Sequence, residues 1–159
     1  EKGIILFDEF TKQLKFENVL ESVEFYYQAI RKQNGAIGII LQSINQLPNN
    51  STSASILENT QVIYSLNNEK GYDELVKRLN LSSHDLNQLK SIKNNLSGQR
   101  KYTEMFIKIG KESNIFRLEV PKEVYAAYLT DGRENEDIMK LYEEHQDMEK
   151  AIIEFTFKT

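Results

Sequence analysis

The sequence has no cysteine, only 2 prolines and no long apolar run. Without cysteine the chain has no disulfide, no cysteine-ligated zinc site and no thiol nucleophile, as is common in a reducing compartment. Every apolar run is far shorter than the ~20 residues that span a bilayer, and no basic segment followed by an apolar one marks a signal peptide. We therefore expect any membrane contact to be made through a partner.

Neither sign of charge is in large excess. The 159 residues carry 20 basic and 24 acidic side chains, a net charge of −4, and the pI is about 5.3. This balance argues against a dedicated nucleic-acid-binding module. A hydrophobic content of 40% with 7 glycines excludes disordered and collagen-like chains. Because no internal repeat or dividing linker is visible, we expect a single domain over residues 1–159.

Two continuous apolar runs flank an amphipathic helix near the start of the chain. Residues 3–7 and 36–41 are uninterruptedly apolar, which is typical of strands covered on both faces. Between them, apolar residues spaced three and four apart predict a helix over 16–34. We expect Gly35 to terminate this helix by adopting the left-handed conformation. This order predicts a right-handed βαβ unit with parallel strands.

The rest of the chain adds further strands and helices to this unit. Residues 45–55 are rich in turn formers and predict a surface loop beside the end of the second strand. Ser82 and Asp85 form a capping-box pattern at the start of a helix. Period-two alternation on both sides of 110–114 predicts an antiparallel hairpin. The other expected elements are a third strand over 61–66, helices over 72–80, from Pro121 and over 134–149, and a tail at 152–157 that either prolongs the last helix or forms a strand. The fold class is α/β, a parallel sheet flanked by helices with a hairpin toward the C-terminus.

Polar side chains follow the two parallel strands where each strand ends. Asp8 and Glu9 come directly after the first strand, and Gln42 follows the second. Because the carboxyl ends of parallel strands meet at one edge, we expect these side chains to lie close together. One carboxylate could hold Mg²⁺ beside phosphate through water, the second could act as a general base, and the amide could contact the γ-phosphate and the attacking water. The alternative is that all three are solvated loop residues.

Other polar residues have simpler explanations. Arg31 and Lys32 lie in the last turn of the predicted first helix, where cations complement the helix dipole. Arg31 would act on a nucleotide only if a nucleotide bound to an adjacent subunit lay against this end of the helix. His84 and His145 have no ligand pattern around them, so we expect neither a metal nor a catalytic role. Four basic residues cluster around a loop: Lys90, Lys93, Arg100 and Lys101. Nucleic-acid contact is one interpretation of this cluster, but we favour a solvated loop.

Several segments, taken in order, resemble one family. Residues 3–10 (GIILFDEF), 29–36 (AIRKQNGA) and 41–45 (LQSIN) resemble the C-terminal motor region of the assembly ATPases of type IV secretion and conjugation systems. The likeness is strongest to the TraG-type conjugative-transposon ATPases of Bacteroides-like bacteria. Segments 55–60, 89–92 and 128–134 extend it over most of residues 1–135.

The resemblance implies a RecA-like P-loop NTPase fold that binds ATP and Mg²⁺ between the subunits of a hexamer-like homo-oligomeric ring. Asp8 would be the Walker B carboxylate that holds Mg²⁺ through water, and Glu9 the catalytic base. Gln42 would be the γ-phosphate sensor, and Arg31 an arginine finger toward the neighbouring subunit. The resemblance also implies a cytoplasmic protein of horizontal gene transfer, associated with the inner membrane through other conjugation or secretion components.

The sequence departs from this family at one point. No G-x-x-x-x-G-K-[ST] segment (Walker A) occurs, and without it no loop cradles the β- and γ-phosphates. We therefore predict that these residues alone neither bind ATP tightly nor hydrolyse it. Because the chain begins at Glu1 and a strand follows within three residues, we expect it to be the C-terminal part of a longer RecA-like ATPase domain.

Two other functions fit the same sequence. In one, Asp8 and Glu9 are incidental and the chain is a non-enzymatic α/β interaction domain whose helical tail docks a partner. In the other, the chain belongs to a RecA-like DNA-translocating motor, which shares the motifs and differs in its substrate. The residues leave open whether the cargo is DNA or protein.

Overall fold

The computed structural model describes residues 3–96, 101–130 and 132–158, and for Lys15, Glu17 and Arg31 it describes the main chain alone. The contacts between Cα atoms separate two compact units. Unit 1 holds the described residues up to Ile92 and those of Glu104–Phe116, and unit 2 holds the described residues of Lys93–Thr103 and Arg117–Thr159. The single domain over 1–159 stays a prediction.

The chain is a mixture of helices and strands, as predicted. Its first elements are β1 (Gly3–Phe7), α1 (Glu17–Ala29) and β2 (Gly35–Ile39). The further elements are α2 (Ser51–Glu58), β3 (Val62–Ser65), α3 (Tyr72–Arg78), α4 (Ser83–Ser91), β4 (Asn94–Asn95), β5 (Tyr102–Ile109), β6 (Glu112–Glu119), α5 (Lys122–Ala127), α6 (Gly132–His145) and α7 (Met148–Lys158). Short 3-10 helices lie at Phe10–Lys15, Ile30–Gln33, Ile44–Gln46 and Glu69–Gly71.

The predicted order of strand, helix and parallel strand is confirmed in unit 1. Strands β1 and β2 are parallel, with Gly3 opposite Gly35 and Phe7 opposite Ile39, so both strands end level. The helix is shorter than predicted, because the chain tightens into a 3-10 turn at Ile30. Asn34, with φ of 57°, takes the left-handed conformation that we assigned to Gly35. Gly35 is needed for close packing instead, since a Cβ there would lie 2.5 Å from Cγ1 of Ile30.

The parallel sheet is covered on one face by the described residues. Ile37 and Ile39 pack with α1 and α2 in the first core cluster. On the other face, Ile4 and Leu6 are 74% and 65% exposed. The prediction that both strands are covered on both faces is therefore wrong within the described chain. The side chains alternate between faces, and among the described residues helices pack against one of these faces.

Two other expectations for unit 1 need correction. The polar stretch predicted as a loop ends early, because Asn50 caps a helix that begins at Ser51; its Oδ1 accepts from the Ser53 amide at 2.9 Å. The third strand, β3, pairs antiparallel with β5, from Val62 opposite Ile109 to Ser65 opposite Phe106. The parallel sheet therefore has two strands in the described chain. The antiparallel hairpin of β5 and β6 is confirmed.

Apolar packing in unit 1 has two centres. The first cluster surrounds Phe10 and Ile56, which are both fully buried. The second surrounds Leu89 of α4 and Phe106 of β5. The predicted capping box is confirmed, because Ser82 Oγ accepts from the Asp85 amide at 3.1 Å while Asp85 Oδ2 accepts from the Ser82 amide at 2.9 Å.

Unit 2 is mainly helical. Helices α5, α6 and α7 share a core around Ala126, Ile138 and Phe155, so the tail forms a separate helix rather than a strand. One member of the basic cluster, Lys101, forms an ion pair within unit 2: its Nζ donates to Glu134 Oε1 at 2.8 Å. Another member, Arg100, lies outside the described residues. Across the described chain, no helix is long and apolar enough to cross a membrane.

Candidate functional site

The candidate site lies where β1 and β2 end. Main-chain hydrogen bonds continue past both strands: the Ile40 amide donates to the Phe7 carbonyl at 2.9 Å, and the Phe10 amide donates to the Ile40 carbonyl at 3.2 Å. The segment after β1 and the segment after β2 therefore run side by side. Phe10 is fully buried, and it anchors the first segment to the core.

Asp8 and Glu9 form a tight turn between β1 and the 3-10 helix Phe10–Lys15. Glu9 is left-handed, with φ of 47°, and its amide donates to Asp8 Oδ1 at 2.8 Å. Both residues are exposed. The turn thus keeps both carboxylates at the carboxyl edge of the parallel strands.

A cation lies beside the second carboxylate. Lys12 forms an exposed ion pair with Glu9, one 3-10 turn along the chain. The hydrogen bond to Glu9, reinforced by the charge of that carboxylate, raises the pKa of Lys12. Glu9 therefore has a cationic partner within its own turn.

Two neighbouring side chains bind the main chain of Gln42. Its amide donates to Gln46 Oε1 at 3.1 Å, and its carbonyl accepts from Asn68 Nδ2 at 3.0 Å. Thr11 Oγ1 donates to the same Gln46 oxygen at 2.6 Å. Gln46 thus joins the segment after β1 to the segment after β2.

An open cleft of about 210 Å³ lies at this edge, lined by Glu9, Thr11, Lys12, Gln42 and Gln46. Two of the predicted site residues, Glu9 and Gln42, therefore share one cleft, and Asp8 is the chain neighbour of Glu9. Small-molecule sites usually enclose roughly 300–1,000 Å³. The cleft is smaller than that, so it can contact only part of a nucleotide.

Arg31 lies at the other end of the parallel sheet. It belongs to the 3-10 turn Ile30–Gln33, which precedes β2, whereas Asp8 and Glu9 follow β1. A five-residue strand separates the two edges by about 16 Å at ~3.3 Å per residue. Within one copy of unit 1 the main chain thus keeps Arg31 away from the cleft, and its side chain lies outside the described part.

Asp8, the chain neighbour of the cleft residue Glu9, is the residue that would hold a magnesium ion through water at this edge. Among the described residues, no group of three or more His, Asp and Glu side chains could hold a metal by itself. Asp8 offers one exposed carboxylate whose Oδ1 is fixed by the Glu9 amide, which leaves Oδ2 for a water ligand. Mg²⁺ usually keeps several waters and binds one or two carboxylates together with substrate phosphates. Asp8 would supply the one carboxylate of such an arrangement.

Thr11, Lys12 and Gln46 are site residues that the sequence did not single out. Gln46 lies in the stretch predicted to border the site, four residues after Gln42, and that position was the available signal. Its contact with Thr11 joins residues 35 positions apart, which no local pattern reveals. Lys12 follows Glu9 by three residues, a spacing that allows an ion pair in a helical turn.

The acidic and amide side chains at the carboxyl edge of the parallel strands lie where open α/β sheets bind their ligands. The TraG P-loop domain family matches residues 1–159, so the chain belongs to that family. It is accordingly a conjugation-associated protein related to P-loop NTPases. No curated protein matches the chain. The finer resemblance to conjugative-transposon proteins of Bacteroides-like bacteria stays a prediction.

Proposed function

We propose that these residues are part of the ATP-hydrolysing site of a type IV secretion or conjugation ATPase, which couples Mg-ATP hydrolysis to transfer of DNA or protein across the cell envelope. The observation that supports this best is the shared cleft at the ends of two parallel strands, which Glu9 and Gln42 both line. Membership of the TraG P-loop domain family supports the same function.

The three predicted residues divide the chemistry between them. Asp8 would hold Mg²⁺ through water, and the bound ion would neutralise charge that develops on the phosphates. Glu9 accepts a proton from the attacking water, and the Gln42 amide donates to a γ-phosphate oxygen. The ion pair with Lys12 involves Glu9 Oε2, and the second carboxylate oxygen, Oε1, accepts the proton of the attacking water.

The phosphate-binding loop of this site is supplied by another part of the protein. These 159 residues contain no G-x-x-x-x-G-K-[ST] segment, and the cleft is too small to enclose a nucleotide. The exposed face formed by Ile4, Leu6 and Ile40 supports the same conclusion, because parallel sheets in α/β proteins are covered on both faces. The 159-residue chain by itself accordingly neither binds ATP tightly nor hydrolyses it.

Arg31 acts between subunits of a homo-oligomeric ring. Its main chain lies at the edge opposite the cleft, so it can reach a nucleotide only if a neighbouring subunit presents one. The ring works at the inner membrane through other components of the transfer apparatus.

The test begins with the complete reading frame that encodes this chain. We expect a G-x-x-x-x-G-K-[ST] segment upstream and Mg-dependent ATP hydrolysis by the whole protein. Glu9→Gln should lower kcat by about 100-fold or more while ATP still binds, because one general base contributes roughly 10²–10⁴-fold. Glu58→Gln, the same change at an exposed helical residue, should leave kcat unchanged.

Four results would contradict the proposal or redirect it. A complete frame without a phosphate loop, or hydrolysis that Glu9→Gln leaves intact, would exclude the assigned site. A monomer without any thermal shift on adding Mg-ATP would favour the non-enzymatic interaction domain. Hydrolysis that rises strongly with added DNA would favour the DNA-translocating motor.

A further inference from the structure

We propose that Gln46 is a positioning residue that sets the orientation of the Gln42 side-chain amide, so that Gln42 presents its NH₂ group to the γ-phosphate. This inference rests on the proposed ATPase function. The observation behind it is a set of three hydrogen bonds made by one carboxamide at the edge of the cleft.

The main chain fixes the orientation of Gln46 first. Its Oε1 accepts from the Gln42 amide at 3.1 Å and from Thr11 Oγ1 at 2.6 Å. A main-chain N–H can only donate, so the Gln46 atom that faces it must be the oxygen. Exchanging Oε1 and Nε2 would put an NH₂ group against that donor, and Gln46 is therefore held in one of its two amide orientations.

The fixed amide of Gln46 then determines how Gln42 is oriented. Gln46 Nε2 donates to Gln42 Oε1 at 3.5 Å. With its oxygen engaged there, Gln42 keeps its own NH₂ group for other partners. Phosphate oxygens accept hydrogen bonds, so an NH₂ group can bind them and a carbonyl oxygen cannot. Gln46 thereby holds Gln42 in the orientation that a γ-phosphate sensor needs.

The turn that carries Gln46 is anchored from outside the cleft. The Arg78 guanidinium at the end of α3 donates to the carbonyls of Ile44, Leu47 and Pro48, at 3.0, 2.8 and 2.9 Å. These three carbonyls bracket Gln46 on both sides. A positioning side chain must itself be held to be effective, and Arg78 supplies that support.

A double-mutant cycle tests this inference in a form of the protein that contains both these residues and a phosphate loop. Gln46→Met has nearly the same length and removes all three hydrogen bonds. We expect it to lower kcat about tenfold and to reduce the preference for ATP over ADP by a similar factor, because a misplaced group loses a contact to the transition state. In a Gln42→Met background, Gln46→Met should reduce the preference for ATP over ADP little further, since the orientation of the Gln42 amide no longer matters there; a residual loss of kcat would reflect the bonds to Thr11 and to the residue 42 main chain.

Gln46→Glu separates orientation from simple attachment. Glutamate still accepts from Thr11 and the Gln42 amide, so the two segments stay joined, but it has no group that donates to Gln42 Oε1. We expect this variant to lose the preference for ATP at least as far as Gln46→Met does, and to lose it only while Gln42 is present. Gln61→Met, at an exposed glutamine of the same unit, is the matched control and should change nothing.

The outcomes distinguish the two proposals. If the parent protein hydrolyses ATP but Gln46→Met reduces the preference for ATP over ADP equally with and without Gln42, or if Gln46→Glu keeps the normal ATP preference, the positioning role is wrong and the ATPase function stands. If the parent protein does not hydrolyse ATP, the proposed function fails and this role fails with it. Thermal unfolding of each variant shows whether a loss reflects folding, and Gln46→Glu remains the test if Gln46→Met does not fold.

Discussion

Lys108 Nζ lies 3.1 Å from Asp85 Oδ2, and this ion pair joins strand β5 to the first turn of α4. Asp85 is 2% exposed, and it also accepts from Ser113 Oγ at 2.6 Å and from Ser82. Burial alone raises the pKa of Asp85, but the hydrogen bonds donated by Ser113, Ser82 and Lys108 outweigh it and hold this pKa well below its usual range. The hairpin and the helix of unit 1 are thus tied by one charged residue.

Asp85→Asn should strongly destabilise the protein. The change leaves Lys108, whose side chain is 17% exposed, without its counter-charge, and breaking a buried pair costs about 3–5 kcal/mol. Urea unfolding followed by circular dichroism measures the change. Asp73→Asn, at an exposed position in the first turn of α3, should cost less than about 1 kcal/mol. Equal losses in the two variants would contradict a special role for Asp85.

The contribution of Asp85 should depend on pH in the acid range. Because its folded-state pKa lies below the unfolded value, the stabilisation is fully present above the unfolded pKa of about 3.9. It is lost as the pH falls through the folded pKa. The difference in unfolding free energy between wild type and Asp85→Asn should therefore stay constant from pH 7 to about pH 5 and shrink only below pH 4. A difference that already declines between pH 7 and 5 would show that another group is responsible.

Arg78→Lys should loosen the turn that carries Gln46, although it keeps the charge. The guanidinium reaches three carbonyls at once, whereas an ammonium is a point charge without the planar fork. We expect a loss of about 2 kcal/mol in the free energy of unfolding and a weaker preference for ATP over ADP. Arg133→Lys, the same change at an exposed residue of unit 2, is the control. An unchanged stability and nucleotide preference would show that the turn does not depend on Arg78.

Mixing two inactive variants should restore activity if Arg31 acts between subunits. Arg31→Ala should lower kcat by about 1,000-fold or more, the usual effect of losing an arginine finger, and Glu9→Gln is inactive for a different reason. In a mixed ring, the Arg31→Ala subunit keeps Glu9 and the Glu9→Gln subunit keeps Arg31. Where these two subunits are neighbours, one interface site contains both intact residues. ATP hydrolysis should rise well above that of either variant alone.

Lys32→Ala, one residue further along the chain, controls for the loss of a cation at the helix end and should retain most activity. Arg31→Ala with normal kcat would contradict the finger role. Mixed rings that stay inactive would show that Arg31 and Glu9 act within one subunit, which the distance between the two edges of the sheet argues against.

The local features of the chain could be predicted from the sequence because short-range forces produce them. The amphipathic α1, the alternating strands of the hairpin and the Ser82–Asp85 capping box depend on neighbours within a few residues. Asp8, Glu9 and Gln42 follow strand ends for the same reason, and parallel pairing brings those ends to one edge. The family was visible in the same residues.

Contacts between distant residues were decided by the tertiary structure. Pairing of β3 with β5, rather than with the parallel strands, depends on where the hairpin packs against α3 and α4. The exposure of Ile4 and Leu6 depends on which face of the sheet the helices cover. Gln46 meets Thr11, and Arg78 meets Ile44, across 35 and 34 positions of sequence. Such contacts result from packing of whole elements, so the sequence determined the strand-end carboxylates while the fold determined what holds them in place.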